Sequence, residues 1–201
     1  MLRHLIYPLL PYRSLFLPFL VASAIAVPCW LVFRLYRRRT PGHRPSLGRE
    51  TLLLIVVVYL CGLGTATLMP NRPSRAVAES MVRVEPHPNL ASLTCSSASL
   101  PEGSSAKGFC VRNARGNLVL FIPLGILLPL VWRRLRYRDA ILIALALSCG
   151  IELVQYFSIA WGSYRTADVN DVVLNVAGAC IGLALVSLLR LRQPMPRLGS
   201  G

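Results

Sequence analysis

Lysine is almost absent from this chain. Of its 201 residues 22 are basic and only 8 acidic, and Lys107 is the only lysine, so arginine carries the net charge of +14. Those arginines cluster at the ends of apolar runs rather than on a soluble basic module, which argues against a nucleic-acid-binding face. Histidine is also scarce, with 3 in the chain. No CxxC, paired histidine or HExxH accompanies them, so no metal or other cofactor is expected. A serine–histidine pair and a phosphate-binding glycine loop are also missing from the apolar segments. No internal repeat and no second polar gate appears, which makes a transporter unattractive.

What the chain has in abundance is hydrophobic length. Hydrophobic residues make up 54% of it and the mean hydropathy is +0.55, more than a water-soluble core of this size requires. Windows of about 20 apolar residues give five spans. They run from Ser14 to Phe33, Thr51 to Met69, Asn117 to Trp132, Ala140 to Trp161 and Val172 to Leu189. The expected fold is therefore all-α: a polytopic membrane protein built as a bundle of about five transmembrane helices, read as a single domain over residues 1–201.

Charge sets the expected orientation. Arg34, Arg37, Arg38, Arg39, Arg44 and Arg49 lie between the first two spans, Arg133, Arg134, Arg136 and Arg138 between the third and fourth, and Arg190, Arg192 and Arg197 after the last. Short arginine-dense loops stay in the cytoplasm. The amino terminus, the long segment 70–116 and the turn around Arg165 are thus expected outside, with the tail 190–201 inside. The arginine cluster follows the first span rather than preceding it, which favours a retained helix over a cleaved signal peptide. Residues 1–12, broken by Pro8 and Pro11, are too short to span and suit the outer interface.

Cysteines divide by position. Cys29, Cys61, Cys149 and Cys180 fall within apolar spans, where small thiols pack. Cys95 and Cys110 fall in the outer loop, where an oxidising compartment permits a disulfide. That loop is rich in Ser, Pro and Gly; a short surface helix is conceivable near Arg75 to Arg83, and His87 between prolines reads as an exposed loop residue.

The polar residues inside the spans single out the carboxy-terminal third. A carboxylate near a bilayer midplane costs roughly 2.5–3.5 kcal/mol on insertion scales, so Glu152 needs a partner or a task. Gln155 lies three residues on, on the same helix face. After a polar turn holding Arg165, the residues Asp168, Asp171, Asn175, Gly178 and Gly182 recur at steps of three and four, forming one stripe that faces protein rather than lipid. Asn117 heads the third span, Pro123 interrupts its hydrogen bonding, and Gly125 permits close helix approach. All the polar members belong to the outer half of the bundle.

Three readings of this set stand side by side. In one, an internal network holds the bundle together, with Arg165 on Asp168 or Asp171, Glu152 protonated or paired, and Asn175 capped by Asn117. In another, Asn117, Gln155, Arg165 and Asn175 line a pocket open to the outer leaflet for a lipid head group or lipophilic compound. In the third, Glu152, Asp168 and Asp171 are catalytic carboxylates of an intramembrane enzyme acting on a lipid-linked substrate.

At these positions the chain resembles the VanZ-like family of small membrane proteins. The ordered matches are NLVLFIPLG with Asn117, Phe121, Pro123 and Gly125, then Glu152 with Gln155, then Arg165, Asp168, Asp171, Asn175 and Gly178. The TLMP ending of the second span is similar too. The family often carries an NLxPF-like stretch before the third span, of which only Asn89-Leu90 stands here. The resemblance implies a multi-pass bacterial plasma-membrane protein acting in the cell envelope or in resistance to teicoplanin-type glycopeptide antibiotics. Its partners would be membrane lipids, a lipid-linked cell-wall precursor or the glycopeptide itself, and not nucleic acid.

Overall fold

The computed structural model describes residues 13–38, 46–68, 84–85, 93–96, 103–160 and 167–191. Among them five helices are long and apolar enough to cross a membrane, so the chain is an all-α polytopic bundle. Contacts divide the chain into two compact units, one of Met1–Val82 with Phe157–Arg165, the other of Arg83–Tyr156 with Thr166–Gly201.

The first unit holds a helical hairpin, α1 (Arg13–Arg38) and α2 (Leu47–Leu68). Pro18 and Pro28 lie inside α1 without ending it. Phe16, Leu17, Leu20, Val21 and Ile25 are exposed along α1, the surface a lipid-facing helix presents. The ring of Phe19 covers Gly62 of α2, and near the other end of the hairpin Arg34 forms an ion pair with Glu50. Thr65 and Thr67 are buried in α2, and their hydroxyls donate to the carbonyls of Cys61 and Leu63 at 2.7 and 2.8 Å. Such back-bonding satisfies a hydroxyl where water is absent. The second span is expected from Thr51. The helix starts four residues earlier, at Leu47, and so includes Arg49 and Glu50.

The second unit contains α3 (Ser105–Val131), α4 (Tyr137–Ala160, as far as Tyr156) and α5 (Val169–Leu191). A two-residue parallel pairing of β1 (Val84–Glu85) with β2 (Ala167–Asp168) fastens the long connection to the start of α5. Ser104 caps α3 by accepting from the Lys107 amide at 3.1 Å. The third span was expected from Asn117; instead α3 begins twelve residues earlier, so the segment 70–116 is not all loop. The helix also continues through Pro123 and Pro129. Cys95 and Cys110 are joined as a disulfide with Cα atoms 5.9 Å apart, tying the connection to the first turns of α3.

Helices α3 and α5 run side by side in the same direction. Asn113 meets Asp171, Leu118 meets Gly178, Ile122 meets Gly182, and the Pro129 carbonyl accepts from Arg190, so residue numbers rise together along the contact. Small residues make this approach possible. A Cβ placed on Gly125, Gly178 or Gly182 would overlap the carbonyl oxygens of Ala179, Leu118 and Ile122 respectively. With no hydrophobic drive between helices in lipid, backbone-to-backbone packing of this kind supplies the association. Phe121, Leu124, Leu128, Ala179, Leu183 and Val186 fill the core of this unit. Of the positions read as structural from the sequence, Pro123, Gly125, Gly178 and Gly182, the three glycines lie at this seam.

Candidate functional site

The polar residues gather at the start of α5 beside Asn113 and Asn117, which lie inside α3, and α4 reaches them from the opposite direction. Three contacts fix the α4–α5 register: Tyr137 with Ser187, Ser148 with Asn175, and Glu152 with Asp168. Numbers fall on one helix as they rise on the other, so the two are antiparallel.

Asp168 sits immediately before α5 and its Oδ1 accepts from both the backbone amide and the side-chain amide of Asn170, each at 2.8 Å. An acceptor at that position satisfies one of the donors a helix leaves unpaired at its start. The backbone amide of Asp168 in turn donates to Oε2 of Glu152 at 3.0 Å. Glu152 is therefore held by the amino-terminal end of α5, the positive end of its dipole, which favours a nearby carboxylate.

Asp171 turns toward α3. Its carboxylate accepts from Asn113 Nδ2, at 3.1 Å to Oδ1 and 3.5 Å to Oδ2. Asn113 was missed from the sequence because the residues before Asn117 were read as loop.

Asn175 lies deeper, 2% exposed, and donates through Nδ2 to Oγ of the fully buried Ser148 at 2.9 Å. Of the three readings of the sequence, the internal-network one pairs Asn175 with Asn117. Ser148 takes that place because α4 presents a hydroxyl at the level of Asn175, a small polar group with no signal of its own within an apolar span. Asn175 Oδ1 and Asn117 Nδ2 are each buried without a hydrogen-bond partner. The register of α3 against α5 sets Asn117 at about the height of Asn175, since residue 118 meets residue 178 and residue 113 meets residue 171. Gln155 is also buried, one turn beyond Glu152 on α4. Pro123 lies within α3 below Asn117. Arg165, expected to pair with an aspartate, lies outside the described residues, as do Trp161, residues 1–12, the stretch Arg75 to Arg83 and His87.

The result is a layered set: Asp168, Glu152 and Asn170 around the start of α5, Asp171 with Asn113 on the α3 side, and Ser148, Asn175 and Asn117 beneath. Chemically it is rich in carboxylate and amide oxygens, and two of its deepest amide atoms remain unsatisfied. Two cavities lie in the first unit and not here: one of about 160 Å³ beside Phe19 and Gly62, another of about 220 Å³ beside Arg34 and Glu50.

Comparison with known proteins connects these residues to others. Protein VanZ of Enterococcus faecium is 33% identical over 77 residues, which is 38% of this chain and 45% of that protein. The match thus spans less than half of the relative's length. No solved structure matches the chain. The profile of the VanZ/LLP1 family matches residues 51–190, a range that includes α3, α4 and α5 with every polar residue of the layered set, and the chain belongs to the VanZ/LLP1 family.

Proposed function

We propose that this is a bacterial plasma-membrane protein whose polar head of α3, α4 and α5 faces the extracytoplasmic side and binds the polar part of an envelope lipid or lipophilic glycopeptide. By occupying that compound it lowers susceptibility to teicoplanin-type antibiotics. The observation that supports this reading is the gathering of Glu152, Asp168 and Asp171 with Asn113 and Asn170 about the start of α5. Ionisable side chains within membrane-spanning helices are costly and are kept where they bind or pair with something. The carboxylates around the start of α5 orient the ligand's hydroxyl or amide groups. The arginine-dense short connections favour a cytoplasmic location for the opposite ends of these helices.

The test is to express the full chain in a teicoplanin-susceptible bacterium beside Glu152→Gln and Asp171→Asn at matched membrane abundance. The wild-type chain raises the inhibitory concentration and both variants return it to the vector level. Resistance unchanged by either substitution, or no effect of the wild-type chain, rejects the reading.

A further inference from the structure

A second polar site stands apart from the residues described above. Glu50 is 5% exposed, in the first turn of α2, and both its oxygens engage the guanidinium of Arg34 through Nε and Nη2. Arg34 lies one turn from the end of α1, with its guanidinium carbon 6.0 Å from the centroid of the Trp30 ring. Beside the pair is the cavity of about 220 Å³, with Arg34, Glu50 and Thr51 at its polar wall and Trp30, Leu35 and Leu54 at its apolar one. An ion pair whose only role was to join two helices would be closed over by packing. This one borders the cavity.

We propose that the cavity between α1 and α2 holds the head group of a zwitterionic phospholipid carrying a primary ammonium. The pair is neutral overall but presents a cation and an anion side by side, so the complementary ligand is one with both charges. A phosphodiester accepts from the Arg34 guanidinium while the ammonium donates to Glu50, each charge of the protein meeting its opposite. A phospholipid with an anionic head and no ammonium brings its phosphate against the Glu50 carboxylate without compensation. Depth agrees with this assignment, because both residues lie within about a turn of their helix ends, where head groups reside. Leu31 and Leu35 are 46% and 59% exposed and continue an apolar surface from the cavity along α1, a bed for the acyl chains. Trp30 supplies an aromatic at the same level, the usual interfacial residue.

The experiment uses the full chain in nanodiscs of equimolar phosphatidylethanolamine and phosphatidylglycerol, released into the mass spectrometer so that retained lipids are counted. Wild-type protein retains phosphatidylethanolamine over phosphatidylglycerol by about fivefold, the ratio a partly solvated charge pair gives. Glu50→Gln removes the ammonium's partner and reverses the preference. Thr51→Phe fills the cavity while leaving the ion pair in place, and abolishes the preference; it decides the matter alone if Glu50→Gln does not accumulate. Equal retention of the two lipids by wild-type protein, or an undiminished preference in Thr51→Phe, overturns the proposal.

Discussion

Gly178 of α5 rests directly on the main-chain carbonyl of Leu118 of α3, leaving no room for even a methyl group between the two helices. Gly150, in the middle of α4, has nothing within 4 Å of the position its Cβ would take. The two glycines therefore respond oppositely to the same substitution. Gly178→Ala forces backbone against backbone and costs about 1–3 kcal/mol, whereas Gly150→Ala gains about 0.5–1 kcal/mol of helix propensity. Thermal unfolding in detergent micelles measures both, and a Gly178→Ala protein as stable as wild type would deny the close seam.

Asp168 acts as the cap of α5, accepting from the amide two residues on. Asp168→Ala loses about 1 kcal/mol, while Asp168→Asn and Asp168→Ser, which keep an acceptor, lose a few tenths. Chemical denaturation of the three variants tests this. Equal loss in all three would mean that charge rather than capping is what position 168 supplies.

The buried Ser148–Asn175 contact separates structure from use. Ser148→Ala leaves the Asn175 amide without its acceptor and costs about 1–3 kcal/mol, but Ser148→Ala with Asn175→Leu removes both polar groups and restores most of that loss. The double variant is thus folded near wild-type stability and has no function. A double variant that is both stable and active would assign the pair to packing alone.

The bond between Cys95 and Cys110 closes a stretch with a sequence separation of 15 and contributes about 3 kcal/mol by the chain-entropy model. Cys95→Ser, Cys110→Ser and the double replacement should be destabilised equally, since each breaks the same bond. Additive losses would show the two thiols acting separately. Mass determination before and after alkylation confirms the pairing in protein isolated without reductant.

Much of this arrangement is legible in the residues themselves. Five apolar lengths foretell five helices because a bilayer demands both length and apolarity, and the i, i+3, i+4 spacing of Asp171, Asn175, Gly178 and Gly182 foretells which side of α5 meets protein. The start of α3 was not legible by that route. Residues Ser105 to Gly116 carry Lys107, Arg112, Arg115 and two glycines, so hydropathy reports nothing there; Ser104, a capping residue, was the available cue. With that beginning missed, Asn113 could not be offered as the partner of Asp171. Ser148 was passed over because one hydroxyl in an apolar helix is ordinary until its neighbour is known. Glu50 went unremarked because the second span was taken to start at Thr51, one residue beyond it. The pairing of Val84–Glu85 with Ala167–Asp168 is only two residues long and produces no alternation to read.

The central claim, that the polar residues at the start of α5 and on the facing turns of α3 form one ligand site with Glu152, is tested most directly by equilibrium binding of a fluorescent teicoplanin-type lipoglycopeptide to the full chain in nanodiscs. The account predicts saturable binding by wild-type and Gly150→Ala protein, weakened at least tenfold, about 1.4 kcal/mol, by Glu152→Gln and by the Ser148→Ala, Asn175→Leu double variant. Equal affinity in all four proteins would contradict it.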